Sequence, residues 1–324
     1  MAETVAWAVE GGRADAASAR RVLWNATKGA SGITTQTDLK VTALTTPGGA
    51  VNVAPGGAVI ASTYGTAGKT ESYGVNNAAT KQVQIPGGRA SDANWAVICR
   101  INDWNFNNGS EPSDPLDENY WLIDVVFAAN LVDLIDPYIL LATVYVPANT
   151  AAITNAMITD KRNMANPRTE FHQITNALTA GDTETLTNTT TAGERFPNAG
   201  GLQRLDIPSW ATRASIAVRW SSLLLDSAAS TGRLWVEWGA DAGGGHFANK
   251  TQEFSYAGEA STAKHRVGAE VADYVAIPAE LRGQSQVAFA AMGRKVTGVG
   301  ATMDSLTGMV YQIMFEEVPD PSYT

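Results

Sequence analysis

Glu237 is the most enzyme-like carboxylate in the chain, set between Trp235 and Trp238 in Leu-Trp-Val-Glu-Trp. A carboxyl group flanked by indoles could protonate a glycosidic oxygen while the rings stack on sugar faces, but glycoside hydrolysis needs a second carboxylate across a cleft. Sequence spacing does not place one. Trp210, Trp220, Trp235 and Trp238 could form a sugar-stacking platform; strand alternation sends Trp220 and Trp238 inward and leaves Trp235 on the other face with Glu237. Trp235 and Glu237 are therefore the candidate glycan contacts, and core packing is the expectation for the other tryptophans.

A second constellation is Asp103-Trp104-Asn105-Phe106-Asn107-Asn108-Gly109, with Asp114 twelfth counting from Asp103. It resembles the start of a calcium loop, yet the turn glycine comes one residue late and the closing bidentate Glu is an Asp. An acidic, Asn- and Gly-rich surface loop is expected, with no metal; Asp103, Asn105, Asn107 and Asp114 are the residues that would hold one. Gly65-Thr-Ala-Gly-Lys-Thr70 invites comparison with a phosphate-binding loop, but Thr63 stands where the first glycine belongs, so a hairpin turn is expected. Cys99, the single cysteine, lies in Trp-Ala-Val-Ile-Cys-Arg-Ile; this excludes an intrachain disulfide, and an apolar strand is a poor setting for a nucleophile. His172, His246 and His265 fall into no His-Glu-x-x-His spacing and accompany no nucleophile motif. No enzyme activity and no cofactor are expected.

The elements that would carry these residues divide at Val144 to Pro167. Val144 and Val146 flank Tyr145 in a strand that Pro147 ends. Asn149 or Thr150 then caps a short helix with Ile153, Met157 and Ile158 on one side and Lys161-Arg162 at its C-terminus, before Pro167. Ahead of this joint, Asp15 to Ala26 reads as an amphipathic helix with Ala19, Val22, Leu23 and Ala26 on one face and Arg20 and Arg21 turned away. Pro-Gly-Gly-Ala-Val occurs at Pro47 to Val51 and again at Pro55 to Val59, two turn-and-strand units in succession. Further strands are expected at Lys81 to Ile85, Trp95 to Ile101, Tyr120 to Val126 and Tyr138 to Val146. Beyond Pro167, Arg168 to Ala177 reads as a short helix or a link. Leu202 to Ile207, Ile216 to Trp220, Leu234 to Trp238, Val275 to Ile277, Val287 to Phe289 and Met309 to Phe315 then alternate with period two. Such strands between Gly- and Thr-rich turns predict an antiparallel sandwich, a jelly roll of about eight strands.

With 324 residues the chain exceeds a usual single core, which favours two domains. Charged residues make up 17% and the net charge is −9, with 11 basic and 15 acidic residues up to Pro167 and 12 and 17 after it. Both halves lack the basic stripe of a nucleic-acid binder. No segment approaches about 18 continuous apolar residues, and Met1 to Trp7 shows no secretory pattern, so synthesis in the cytoplasm and no membrane insertion are expected.

The run Thr37-Asp-Leu-Lys-Val-Thr-Ala43, then Ala50-Val-Asn-Val-Ala-Pro-Gly-Gly-Ala-Val-Ile60 with Tyr64, then Glu71-Ser-Tyr-Gly-Val-Asn-Asn77, then a strand ending Arg100-Ile-Asn-Asp103, resembles the N-terminal domain of minor tail proteins of siphophages infecting actinobacteria. More distantly it is similar to the attachment domains of phage baseplate upper proteins. Tyr145 to Arg162 resembles the close of that domain, and Asp206-Ile-Pro-Ser-Trp-Ala-Thr-Arg-Ala214 more faintly resembles C-terminal domains of phage minor tail proteins. One departure is Cys99 to Asp103, where the family more often carries a second acidic residue beside Arg-Ile.

The whole predicts a mainly β protein: an N-terminal β-rich tail-attachment domain with a leading helix (1–149), a connector helix and linker (150–169) and a C-terminal antiparallel sandwich (170–324). The resemblance implies a structural virion component at a tail tip, synthesised in the host cytoplasm. It also implies a cyclic homo-oligomer, a trimer, with other phage tail proteins as partners and Ile153, Met157 and Ile158 as candidate axial contacts. A carbohydrate-binding module or polysaccharide-active enzyme directed at host-envelope glycan is the competing expectation.

Overall fold

The computed structural model describes residues 15–65, 70–87, 90–107, 113, 120–198, 200–226, 228–260 and 263–319. The chain is mainly β and divides into two units, 1–167 with 318–324, and 168–317.

The first unit opens with α1, Ala16–Thr27, whose N-terminal N–H groups are capped by Asp15 through Ser18 (2.6 Å). Lys28 takes the left-handed conformation that ends it, and the Gly29 N–H bonds back to the Trp24 carbonyl. The expected apolar face is buried only in part. Leu23 is half-buried and Arg21 is turned away, but Ala19, Val22 and Ala26 are exposed, while Arg20 turns inward to the buried Glu71 (2.6 Å) and lies over the rings of Tyr73 and Phe106. A buried carboxylate demands a partner more strongly than two alanines demand burial, so the ion pair sets the helix rotation.

Among the described residues ten strands follow: β1 Gly32–Ile33, β2 Val41–Ala43, β3 Ala50–Val53, β4 Gly56–Ala61, β5 Ser72–Asn77, β6 Lys81–Gln84, β7 Ala93–Ile101, β8 Trp121–Phe127, β9 Tyr138–Val146 and β10 Ile158–Asp160. They form antiparallel sheets in the orders β1-β4-β5, β2-β3-β6 and β10-β9-β7-β8. The first Pro-Gly-Gly leads into β3, whereas Gly56 and Gly57 of the second already lie in β4, and the two strands belong to different sheets. Ile33, Val51, Val53, Ile60, Val97, Cys99, Leu141, Val144 and Ile153 meet in one core.

The helix expected after Pro147 does not form. Asn149 sits in the left-handed region, a single 3-10 turn spans Asn155–Met157, and β10 folds back onto β9 with Ile158 opposite Val144. Thr150, Ile153, Thr154, Ile158 and Thr159 are β-branched and favour strand over helix, and tertiary bonds complete the choice. The Ile153 N–H reaches the Gly48 carbonyl (2.8 Å), and Asn155 Oδ1 accepts the Ala43 N–H (2.8 Å). The segment is thus the closing strand of the first unit, and Arg162 ends in its interior instead of at a helix terminus.

The second unit contains β11 Thr169–Ala177, β12 Thr183–Thr185, β13 Glu194–Arg195, β14 Leu202–Leu205, β15 Arg213–Leu225, β16 Ser230–Gly243, β17 His246–Lys250, β18 Phe254–Gly258, β19 His265–Ala276, β20 Val287–Thr297, β21 Thr302–Asp304 and β22 Gly308–Glu316. Arg168 to Ala177, read as helix or link, is the first long strand: Ile174 packs on the core while Phe171, Gln173 and Thr175 face away from it. One sheet runs β11-β22-β15 with β19 on β15; the other runs β14-β20-β16 with β17 and β18 both on β16. Counting the long strands in chain order, with β17 and β18 as one, the first sheet is first-eighth-third-sixth and the second is second-seventh-fourth-fifth. That order is the jelly roll.

Its core is the set the alternation predicts: Ile216, Val218 and Trp220; Leu234, Val236 and Trp238; Phe289; Tyr311, Ile313 and Phe315. Trp238 stacks on Phe289 at 5.9 Å between centroids. Tyr311 is wholly buried, its hydroxyl donating to the Gly201 carbonyl (2.7 Å) and accepting the Ala291 N–H (2.8 Å). At the ends of the unit, Arg168 Nη2 pairs with the buried carboxylate of Glu317 at 2.6 Å.

Candidate functional site

Trp235 and Glu237 do share the face of β16 opposite the core, but that face is roofed. Trp235 is 0% exposed and Glu237 7%. Gly193, with φ of 72°, lies so close to the indole that a Cβ there would overlap the ring; Leu202 and Phe247 close the sides around Trp235, Ala290 and Met292. Lys250 Nζ sits 4.0 Å from the ring centroid, a cation over the π face. The expected exposed indole is therefore a second small core outside the sandwich. Period two reports which side of a sheet a residue occupies, and the chain that later covers that side leaves no mark on the period.

Glu237 organises this cluster. Its Oε1 accepts the Trp235 indole N–H (3.0 Å); Oε2 accepts the Phe247 backbone N–H (3.1 Å) and lies 2.9 Å from His246 Nδ1. These bonds span the β16–β17 hairpin where its register slips between Trp238 and Gly243. Lys250 also pairs with Glu253 (2.7 Å), which Arg294 approaches at 3.3 Å, and the Lys250 hydrogen bond leads in holding the Glu253 carboxyl below its ordinary value. Both oxygens of Glu237 are engaged by donors of the same hairpin, which fits a clamp better than an acid facing substrate. His246 was the partner that sequence reading missed; its position three residues beyond Ala242-Gly243, across a tight turn from Glu237, was the available signal.

The metal candidates are tied down in a similar way. Asp103 is 4% exposed: Oδ1 accepts the backbone and side-chain N–H of Asn105 (3.1 and 3.0 Å), and Oδ2 accepts the Tyr73 hydroxyl (3.0 Å). Asn107 Nδ2 donates to Asn102 Oδ1 (2.9 Å) and to Asp136 Oδ1 (3.3 Å). Asp114 lies outside the described residues, as do positions 66–69 of the Gly65–Thr70 stretch. β4 and β5, on either side of that stretch, are antiparallel partners. Among the described residues no group of three or more His, Cys, Asp and Glu converges as a metal site would. The Asp103 turn instead joins a network: Tyr64 donates to Asp136 (2.8 Å), and Arg100 bridges Asp124 (3.0 Å) and Asp136 (2.6 Å). Burial drives the Tyr64 and Tyr73 hydroxyls well above the usual phenol range. Cys99 is buried in β7, and burial pushes its thiol up to about 12.

Ile153 is 0% exposed in the core of its own unit, and Met157 and Ile158 pack half-buried on the same core. They are not brought together as an outward-facing stripe. His172 packs edge-on against Phe315 and lies 2.8 Å from Glu170.

No family model and no curated protein matches the sequence. Among solved structures the chain is similar to infectious bursal disease virus of the Gx strain at 12% identity, covering 89% of this chain and 79% of that one, with a TM-score of 0.24. The VP2 subviral particle of infectious bursal disease virus gives 13% identity, 92% and 77% coverage and a TM-score of 0.25. Superpositions at that level carry no argument about this chain, and the jelly roll rests on the strand order alone.

Proposed function

We propose that the chain is a structural virion protein: a minor tail protein at the tail tip of a phage, anchored by its first unit and presenting the jelly roll for host contact or tip stabilisation. The observation that supports this best is where the residues bearing the sequence resemblance lie. Arg162, in the closing stretch, has a side chain that is 0% exposed; it pairs with Asp160 (2.6 Å) and donates to the carbonyls of Gln36 (3.2 Å) and Asp38 (2.7 Å), in and beside the opening stretch. From the middle stretch, Glu71 holds Arg20, Tyr73 holds Asp103 and Asn77 Nδ2 donates to the Ala54 carbonyl (2.9 Å). The resembling segments are thus the ones that pin a single folded body, as an attachment module requires. The jelly roll hosts many functions and adds only compatibility.

Antibodies raised against the purified chain should label one end of the tail in electron micrographs of intact particles. Label confined to the head, or none on particles, sinks the tail assignment. The proposed trimer predicts a light-scattering mass three times the 34.2 kDa of the chain; monomer alone at micromolar concentration removes it.

A further inference from the structure

The first sheet of the jelly roll has an outer face whose residues stand in straight cross-strand rows, because β11, β22, β15 and β19 pair without a shift along this stretch. One row reads Phe171, Met314, Ser215, Tyr274, and the next Gln173, Gln312, Ala217, Ala272. Phe171 is 56% exposed and Tyr274 49%, large apolar rings left in water at the two margins. Three strand spacings of about 4.8 Å put them roughly 14 Å apart. Between them in the row stand the half-buried Met314 and the small Ser215, with Ala217 in the next row, so the rings flank a shallow trough that is deepest beside Tyr274. On its floor Gln312 Nε2 donates to Gln173 Oε1 (3.1 Å), holding two amides side by side. The charges around it are already matched: Arg219 with Glu270 (2.8 Å), Glu316 accepting the Tyr274 hydroxyl (2.8 Å) and Arg213 over the Tyr274 ring (5.5 Å).

We propose that this trough binds a neutral oligosaccharide, with Phe171 and Tyr274 stacking on sugar rings and the Gln173–Gln312 amides exchanging hydrogen bonds with hydroxyls. It rests on the reading of the jelly roll as the host-contact part of a tail protein. Two arguments select this occupant. Paired charges leave little net field to attract an ionic ligand, whereas ring faces and amides match the C–H and O–H faces of a neutral sugar. Size disfavours a second copy of the chain: nine residues of β11 and β22 by three strand spacings is about 400 Å², half of the roughly 800 Å² per partner that a stable protein interface buries. The glycan-contact role expected for Trp235 and Glu237 thus moves to the other sheet, where the aromatic side chains are in fact exposed.

The test is full-length protein on a printed array of neutral and acidic oligosaccharides, with the best ligand titrated calorimetrically. Neutral glycans should be retained. Phe171→Ala and Tyr274→Ala should each weaken binding about tenfold, and Tyr274→Phe, which keeps the ring, should bind within about threefold of the parent. Melting curves establish that the variants fold. Three outcomes overturn the proposal: no neutral glycan retained at millimolar concentration, unchanged binding by the Phe171→Ala/Tyr274→Ala double variant, or a dimer that the double variant abolishes, which would assign the face to a second copy. An empty array beside tail-tip labelling of particles removes the glycan proposal and leaves the virion reading intact.

Discussion

The two units reach order by different routes. In the jelly roll, two sheets of long strands bury one alternating face each, and aromatic and branched side chains fill the space between them. In the first unit all strands but β7 to β9 span six residues or fewer, three small sheets share one core, and polar side chains tie segments far apart in sequence: Arg162 to Asp38, Arg20 to Glu71, Tyr64 to Asp136. Apolar contact is non-directional and tolerates exchange of one aliphatic group for another. A buried guanidinium with fixed acceptors tolerates no substitute. The first unit should therefore be sensitive at a few polar points and the second should lose stability in proportion to the volume removed.

Arg162→Met is the sharpest way to break that contrast. Methionine fills comparable volume, but the Gln36 and Asp38 carbonyls and the Asp160 carboxylate lose their donor together, which should cost about 3 kcal/mol. Burial alone would raise the Asp160 carboxyl; the bonds and charge of Arg162 outweigh it and hold the group below its ordinary value. Hydrogen exchange read on first-unit peptides should show the loss, and unchanged protection would mean that this unit too is held by apolar packing. Tyr311→Phe removes one buried hydroxyl from the jelly roll and its two bonds, while the Ala291 N–H keeps its bond to the Gly201 carbonyl (2.7 Å), so the cost should be about 1 kcal/mol. A urea midpoint equal to that of the parent would show that the sandwich needs none of its polar pins.

The same contrast decides what could be read from the sequence. Ile216 to Trp220, Leu234 to Trp238 and Met309 to Phe315 announce the jelly roll because burial on one face writes a period of two directly into the chain, whereas β7, buried at nearly every residue, is legible as an apolar run. Arg162 was not legible: its carbonyl acceptors Asp38 and Gln36 lie 124 and 126 positions away, and a Lys-Arg pair after Ile153, Met157 and Ile158 imitates a helix terminus. The α1 face misled in the same manner, since nothing local marks Glu71 as the partner of Arg20. Trp235 failed at one further remove, its covering chain being Gly193 and β14. Phe171 and Gln173 do alternate with His172 and Ile174, but with so little hydrophobicity on the inward side that helix, link and strand read alike.

Smaller effects sharpen the comparison from the other direction. Ile313→Val, one methylene from the middle of the jelly roll core, should cost about 1 kcal/mol; a loss near that of Arg162→Met would mean that the sandwich is as intolerant as the pinned unit. The smallest effect belongs to a polar tie of the jelly roll that water reaches. Arg266 forms two bonds with Asp304 (3.1 and 2.6 Å), linking β19 to β21, and these lead in holding the Asp304 carboxyl down at about 2 against the opposing effect of burial. Because the folded value lies below the ordinary aspartate value of about 4, the stabilisation is complete above about pH 4 and is lost as pH falls through 2. Solvent screening limits it to about 1 kcal/mol or less. Asp304→Asn should therefore melt slightly below the parent at pH 6, and the gap should close on acidification towards pH 2. A gap that persists there would assign the loss to the Asp304 bonds with the Leu306 N–H (3.0 Å) and the Thr307 hydroxyl (3.2 Å), a turn held by geometry and not by charge.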